Sequence, residues 1–315
     1  MTGTNIRLAA SLLSSGKVIA IPTETVYGLA ANAFDPDAVL RIFEIKQRPR
    51  FNPLIVHIAS LDHLTAVAEN TDPLLLKLAD HFWPGPLTIL AKKTAVISDL
   101  VTAGSEFVAV RVPDHPLTLE LLNLIEFPLA APSANAFGKI SPTTAKHVEA
   151  TLGNKIDYIL DGGIAEVGVE STIIKMDAGR VVILRPGGID EQQIAEVTGY
   201  IPKQAVKTDK TEAPGMLKSH YAPAIPLYFG DIDELIRKFR GRRIGLLTFC
   251  AGRHEDSVIF QKILSPKKDL REAAKNLFSY MHELERSGAE LIIAEALPAH
   301  GIGIAVNDRL MRASA

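Results

Sequence analysis

Three basic side chains stand close together in the first third of the chain, at Lys46, Arg48 and Arg50. Asn52 and an apolar stretch over 54–57, typical of a strand, follow directly. Cations also suit the negative end of a helix dipole, so a solvated helix terminus is the alternative interpretation. Because this cluster leads straight into a strand, we expect it to face a site that binds an anion such as phosphate.

Polar side chains also follow other apolar stretches. Ser133 and Asn135 come directly after the run 128–131, Ser171 closes the run Gly168-Val-Glu-Ser, and Arg185 lies just before two glycines. Each of these alone is consistent with an ordinary turn or strand residue. Together they lie at several strand ends, which is where α/β sheets bind ligands. Since no nucleophile is paired with a base, the residues indicate anion binding by positioning and electrostatics, as in phosphoryl or nucleotidyl transfer.

Several common catalytic patterns are missing from the sequence. It has no Gly-x-x-x-x-Gly-Lys-Ser/Thr phosphate loop and no His-Glu-x-x-His helix. The 9 histidines are scattered, and Cys250 is the single cysteine. These counts exclude disulfides and multi-cysteine metal sites, and we expect no protein-bound transition metal.

Composition sets further limits. The 315 residues carry a formal net charge of −2, which argues against a protein that coats nucleic acid by bulk charge. Hydrophobic residues make up 47% of the chain, enough to fill a core. No apolar run approaches the ~18 residues of a membrane-spanning helix, so we expect a soluble, cytoplasmic protein without membrane contact.

Helical and strand patterns alternate along the chain and predict an α/β protein in two parts. Residues 1–200 are expected to form a twisted mixed sheet with helices. Residues 201–226 hold four prolines and little apolar periodicity, which is typical of a linker. Residues 227–315 resume the alternation and predict a small Rossmann-like α/β domain.

Several motifs in order along the chain closely resemble the YrdC-type threonylcarbamoyl-AMP synthases. In the first part these are Ile21-Pro-Thr-Glu-Thr-Val-Tyr-Gly-Leu29, Lys46-x-Arg48, Asn52-Pro-Leu-Ile-Val-His57 and Pro132-Ser-Ala-Asn135. The later part resembles the longer, two-domain members of the family through Pro214-Gly-Met, Ser219-His-Tyr-Ala-Pro223, Ala294-Glu-Ala-Leu-Pro and Asn307-x-Arg309-Leu. The resemblance covers essentially the whole chain and implies the YrdC-like fold.

The resemblance also implies an activity. Members of this family join L-threonine, bicarbonate and ATP into threonylcarbamoyl-AMP and release pyrophosphate, with Mg²⁺ on the phosphates. The product feeds N6-threonylcarbamoyl modification of the adenosine beside the anticodon of tRNA. The implied partners are therefore these substrates and the downstream tRNA threonylcarbamoyl-transfer machinery, and a weak contact with RNA is compatible with the fold.

The resemblance assigns site residues position by position. Lys46 and Arg48 are expected to be catalytic. The expected threonine-binding residues are Thr25, His57, Arg111, Ala131 and Ser171. The expected ATP-binding residues are Arg48, Asn52, Phe107, Ser133, Asn135, Ser141, Arg185 and Tyr221. Without the motif order, Arg111 would be taken for a surface arginine and His57 for a core histidine.

Two other functions are compatible with the same fold. One is a non-catalytic RNA-binding module, which would have no use for a pocket that combines Thr25, His57 and Ser171. The other is a carbamoyltransferase that forms carbamoyl-adenylate, although such relatives usually carry extra domains for which this chain lacks the length and the cysteines. The composition of the segment 201–226 further suggests a lid over the active site, since a passive tether needs no such pattern of proline and aromatic residues.

Overall fold

A computed structural model describes residues 1–205, 213–253 and 255–315. Within these residues, the α-helices are α1 (Ile6–Ser14), α2 (Pro36–Lys46), α3 (Pro73–Phe82), α4 (Asp99–Thr102), α5 (Pro116–Leu124), α6 (Ala145–Leu152), α7 (Glu191–Thr198), α8 (Ile232–Lys238), α9 (Leu270–Glu285) and α10 (Gly303–Ala313). The strands are β1 (Thr2–Gly3), β2 (Ile19–Ile21), β3 (Gly28–Asn32), β4 (Ile55–His57), β5 (Ala68–Glu69), β6 (Leu87–Lys93), β7 (Phe107–Arg111), β8 (Leu129–Ala130), β9 (Tyr158–Leu160), β10 (Thr172–Asp177), β11 (Arg180–Arg185), β12 (Lys203–Gln204), β13 (Leu227–Gly230), β14 (Ile244–Thr248), β15 (Val258–Ile263) and β16 (Leu291–Glu295).

The first part of the chain forms a mixed sheet, as the sequence predicts. Its strands run in the order β1-β9-β2-β3-β8-β4-β7-β6-β10-β11-β12, with β5 paired to β6. The sheet contains parallel pairs such as β4–β7 and antiparallel pairs such as β6–β7. This arrangement sets the ends of β4 and β7 side by side in the middle of the sheet.

The two faces of this sheet have different covers, because alternate residues of a strand point to opposite faces. Val56 and Val110 face a large core that includes residues of α2 and α3. Ile55 and Ala109 face the other way and pack in a small cluster with Ala213, against which Met216 also packs. The segment after residue 212 therefore covers the face of the sheet opposite those helices.

The second part of the chain forms a separate parallel sheet, which confirms the predicted second α/β domain. Its strands run in the order β13-β16-β14-β15, and all three pairs are parallel. Helix α9 packs on β14 and β15, and α10 packs on α9. Parallel strands need crossover connections, and in the described residues α8 lies between β13 and β14 and α9 between β15 and β16.

The two parts share one apolar cluster. Val26, Ile140 and Val169 of the first part are buried together with Phe278 and Met281 of α9. The rings of His147 and His282 stack across the same boundary with centroids 4.1 Å apart. This shared core fixes the second domain against the first.

The segment predicted as a linker is partly integrated into the first sheet. β12 pairs with β11 in parallel, so the sheet extends to residue 204. Further on, Ala222 donates its backbone N–H to the carbonyl of Gly138 at 2.8 Å. Residues 206–212 of the predicted linker lie outside the described residues. No helix among the described residues is both long and apolar enough to cross a membrane.

Candidate active site

A cavity lies between the ends of β4 and β7, the loop after β8 and the segment that precedes the second domain. It collects most of the site residues that the sequence predicts, although they are spread over nearly two hundred positions. Those in its lining are Thr25, Arg48, His57, Arg111, Ala131, Ser133, Ser171, Arg185 and Tyr221. The sheet order explains this convergence, because strand ends that are remote in sequence are neighbours in space.

Strand pairing sets the residues expected to bind threonine. His57 and Arg111 are register partners at the ends of β4 and β7. The Arg111 Nη1 donates to Thr25 Oγ1 at 3.1 Å, and its Nη2 donates to Glu24 Oε1 at 2.5 Å. Arg111 Nε is buried and has no hydrogen-bond partner among the described residues. The guanidinium is thus oriented by Glu24, and its Nε–H remains available to a carboxylate.

The ring of His57 is in its neutral form. Burial, helped by the positive charge of Arg111, lowers the pKa of His57 to about 3. Its Nδ1 lies 3.2 Å from the carbonyl oxygen of Ile55, which fixes the ring against its own strand. A neutral imidazole at this position can hydrogen-bond a polar substrate without adding charge.

The end of α2 presents the two residues expected to be catalytic. Asp35 caps the helix start with its side chain, and Gln47 ends the helix in the left-handed conformation, with φ 54°. The chain then turns back, since the Arg48 N–H donates to the Phe43 carbonyl at 2.9 Å. This reversal turns Arg48 to the cavity, whereas Lys46 is the last residue of the helix itself.

Lys46 and Arg48 occupy different places. The Nζ of Lys46 donates to the carbonyl oxygens of both Ser133 and Asn135 at 2.5 Å, so Lys46 holds the backbone of the loop after β8 in place. Arg48 lies in the cavity lining and donates to the carbonyls of Asn52 and Pro53 at 3.1 and 2.8 Å. Lys46 therefore holds the loop that carries Ser133, whereas Arg48 faces the cavity.

In the protein without ligand, burial disfavours the charged forms of Lys46 and Arg48. It lowers the pKa of Lys46 well below its usual value, and the charge of Arg48 adds to the effect. Burial likewise lowers the pKa of Arg48 to about 9, with a contribution from Arg185. A bound anion would remove this destabilisation, because opposite charge favours the protonated form.

Arg185 joins the sheet to the linker. Its Nη2 donates to the backbone oxygen of Ser171 at 2.8 Å and to Ser171 Oγ at 3.1 Å, while its Nη1 donates to the Pro214 carbonyl at 3.0 Å. Ser171 Oγ also lies 2.7 Å from Thr88 Oγ1. Arg185 thus fixes the hydroxyl expected to bind threonine and the linker expected to cover it.

The linker contributes Pro214, Gly215, His220 and Tyr221 to the cavity lining. Gly215 has φ 82°, and a Cβ there would lie 2.9 Å from the Tyr221 hydroxyl and 3.0 Å from Arg185 Cδ. Only glycine fits this position without displacing its neighbours. The Tyr221 side chain is buried, and burial raises its pKa to about 12, so the phenol stays protonated.

Three other predicted residues lie close to the lining, and one does not. Asn135 accepts from Lys46, Ser141 donates to Glu170 at 2.7 Å, and Asn52 is fully buried with a side-chain amide that has no partner among the described residues. Phe107 is instead 47% exposed and lines a different groove. Phe107 opens β7 whereas Arg111 ends it, so the two lie about 13 Å apart along the strand.

Glu170 and Arg309, which were not among the predicted site residues, meet at this site. Arg309 Nε donates to Glu170 Oε2 at 2.9 Å, and Glu170 lines the cavity. Glu170 lies in the run Gly168-Val-Glu-Ser and Arg309 in the motif Asn307-x-Arg309-Leu, and these motifs were the available signal. Within the described parts of the chain, no three His, Cys, Asp or Glu side chains come together as a metal site.

Comparisons with known proteins agree with this architecture. Residues 11–187 match the Sua5_yciO_yrdC family, described as "Telomere recombination", and residues 189–315 match "Threonylcarbamoyl-AMP synthase, C-terminal domain". Threonylcarbamoyl-AMP synthases of Pyrococcus abyssi and Bacillus subtilis are each 42% identical to 98% of this chain, over 94% and 92% of their own lengths. The crystal structure of P. abyssi Sua5 complexed with L-threonine is 40% identical, covers 100% of this chain and 97% of that chain, and superposes with a TM-score of 0.91. The chain therefore belongs to the threonylcarbamoyl-AMP synthase family, in its two-domain form.

Proposed function

We propose that this chain is a nucleotidyltransferase that makes threonylcarbamoyl-AMP from L-threonine, bicarbonate and ATP and releases pyrophosphate. The observation that carries the proposal is the cavity, whose one lining combines a polar pocket around Thr25, His57 and Arg111 with the buried cations Arg48 and Arg185. Its similarity over nearly its full length to synthases of this name supports the same reaction. The relative crystallised with L-threonine supports the choice of amino acid.

The pocket beside β4 and β7 would hold threonine. Arg111 binds the carboxylate through the donor that Glu24 and Thr25 leave free. His57 and Ser171 offer hydrogen-bonding groups for the remaining polar atoms of the substrate. The threonine amine adds to the carbon of bicarbonate with loss of water, which gives a carbamate at the edge of this pocket.

The adjoining cations would hold the phosphates of ATP. A carbamate oxygen forms a bond to the α-phosphorus, and the bond from that phosphorus to the oxygen bridging to the β-phosphate breaks, so pyrophosphate leaves with the electron pair. Arg48 and Arg185 stabilise the charge that builds on the phosphate oxygens in this step. The chain supplies no covalent nucleophile in this mechanism, and positioning carries the rate.

Mg²⁺ fits this site as an ion that ATP brings with it. Glu170 is the one carboxylate among the described residues in the lining, and Ser141 and Arg309 already occupy its two oxygens. The phosphates of ATP, rather than protein side chains, would therefore be the ligands of Mg²⁺. Arg48 and Arg185 would lie beside these phosphates. The ion would neutralise part of the phosphate charge when bound.

The linker would act as a lid over this site. His220 and Tyr221 lie in the lining, and His220 packs edge-on against Tyr221 with ring centroids 4.2 Å apart. A cover of this kind keeps water from the mixed anhydride product, which water would otherwise hydrolyse. The product would then pass to the machinery that modifies the adenosine beside the anticodon of tRNA.

Pyrophosphate release measured with single omissions tests the proposed function. We expect release only when threonine, bicarbonate and ATP are all present, together with a product of the mass of threonylcarbamoyl-AMP. Release driven by carbamoyl phosphate without threonine would identify a carbamoyltransferase instead. RNA binding with no turnover under any condition would favour the non-catalytic module.

A further inference from the structure

One charged side chain of the second domain pairs with a residue that lines the active-site cavity. Arg309 of α10 is fully buried, and its guanidinium donates to Glu170, to the Pro186 carbonyl at 2.9 Å and to Asp308 at 3.0 Å. Its Cζ also lies 5.4 Å from the centroid of the Tyr221 ring. Arg309 therefore contacts both the first domain and the linker at the cavity.

Glu170 lies between the residues expected to bind threonine and those expected to bind ATP. It precedes Ser171, which is expected to bind threonine, and its Oε1 accepts from Ser141, which is expected to bind ATP. Its carboxylate lines the cavity into which Arg48 and Arg185 also face. An uncompensated carboxylate at this position would repel the phosphates of ATP, since charges in a partly desolvated cavity interact strongly.

Several charges around Glu170 keep it ionised. Burial alone would raise its pKa, but Arg309, Arg185 and the hydrogen bond from Ser141 together lower the pKa below its usual value. The carboxylate is therefore a permanent negative charge, and Arg309 is its direct ionic partner.

We propose that Arg309 is a positioning residue for ATP. It neutralises Glu170 and fixes the carboxylate that accepts from Ser141, and its guanidinium lies over the ring of Tyr221. Ser141 and Tyr221 are thereby held so that they face the nucleotide. This inference rests on the proposed function and gives the second domain a part in it. The first domain supplies the site, and the last helix of the second domain makes that site able to accept an anion.

A purely structural role for Arg309 is the alternative, in which it only anchors α10 to the first domain. The two roles predict different results for paired substitutions. Arg309→Met leaves Glu170 as an unpaired buried charge, whereas Arg309→Met with Glu170→Gln removes both charges and keeps an oxygen for Ser141. If neutralisation is the role, the second change restores what the first one lost.

The experiment measures KM for ATP, KM for threonine and kcat in the full chain, with thermal melting as the check of folding. We expect Arg309→Met to raise KM for ATP about tenfold or more, because truncating one member of a buried pair leaves the other charge exposed to the ligand. KM for threonine should change less than threefold. The double variant should recover most of the affinity for ATP. Arg309→Lys, which keeps the charge and loses the planar fork of donors, should raise KM for ATP less than Arg309→Met does.

Glu170→Gln alone keeps the proposal testable if Arg309→Met does not fold. It should leave KM for ATP unchanged or lower, since it removes only the negative charge. The proposal is overturned if folded Arg309→Met keeps the wild-type KM, if the double variant is as impaired as the single one, or if Glu170→Gln raises KM tenfold. Calorimetric titration with ATP alone repeats the comparison without turnover, so a wild-type chain that makes no product would refute the proposed function and still leave this inference measurable.

Discussion

Arg48 offers the sharpest test of the catalytic assignment, because a matched control lies two residues away in the same loop. Arg48 is 7% exposed and lines the cavity, whereas Arg50 is exposed. Arg48→Ala removes a cation from the cavity lining, where the proposed function places the phosphates of ATP. Arg50→Ala changes the charge of the same loop by the same amount outside the cavity.

The expected size of the effect follows from the contacts of Arg48. Loss of one preorganised donor to a transition state typically lowers kcat about 10²–10³-fold, which is about 2.7–4 kcal/mol. The substitution also leaves the carbonyls of Asn52 and Pro53 without their donor, at a cost to stability of roughly 1–3 kcal/mol for each carbonyl that water does not reach. We therefore expect a loss of turnover together with a lower melting temperature.

The assay is pyrophosphate release at saturating ATP and threonine, well below the melting temperature of each variant. Arg50→Ala should keep kcat within about twofold of wild type, as surface substitutions usually do. Near-wild-type kcat in Arg48→Ala would refute the assignment. An equal loss in Arg50→Ala would point to the net charge of the loop rather than to the cavity contact.

Four further outcomes follow from the same geometry. Lys46→Met should lower kcat and the melting temperature together, because Lys46 supports the loop of Ser133 and Asn135; an unchanged melting temperature would contradict that role. His57→Asn should weaken threonine binding in calorimetry yet leave the pH–rate profile above pH 5 unaltered, since a ring with a pKa of about 3 is already neutral there; a lost ionisation near neutral pH would exclude this. Valine should bind far more weakly than serine, because valine leaves buried polar groups of the pocket unpaired; equal affinity of valine and threonine would argue against hydrogen bonding to the hydroxyl. ATP and threonine together should slow proteolysis between residues 203 and 221, and a chain that ends before residue 201 should make little product; full activity of that shorter chain would reduce the linker to a connector.

The fold was predictable where local signals agree. Asp35 and Pro36 mark the start of α2 in the sequence, and both the side-chain cap and the first-turn proline are present in the structure. The parallel second domain likewise follows from alternating strand and helix patterns. The pairing of β12 with β11 was not predictable from the sequence. β12 consists of the two polar residues Lys203 and Gln204, which show no alternation of apolar and polar side chains, and its strand conformation depends on the hydrogen bonds to β11.

Position along a strand explains why the site was predicted unevenly. His57 and Arg111 face the cavity because they end two parallel strands that pair in register. Phe107 belongs to the same strand as Arg111, but the sequence does not tell which end of β7 meets the cavity. Lys46 and Arg48 looked equivalent in the sequence, and only the reversal after Gln47 separates the supporting residue from the lining one.

The distribution of buried charge gives the strongest argument that this cavity was built for anions. The buried Lys and Arg residues of the described chain are Lys46, Arg48, Arg111, Arg185 and Arg309, and the buried acids are Glu24 and Glu170. All seven lie at or next to the site. Glu24 orients Arg111 and Glu170 pairs with Arg309, so two acids offset two of the five cations.

An excess of buried positive charge is costly in a protein without ligand, since desolvation disfavours each unpaired cation. Burial lowers the pKa of Arg185 to about 10 in the same way as it lowers that of Arg48. A core built only for stability would replace such residues with apolar ones of similar volume. Under the proposed function, the phosphates and the carboxylate of the substrates supply the negative charge that balances this excess.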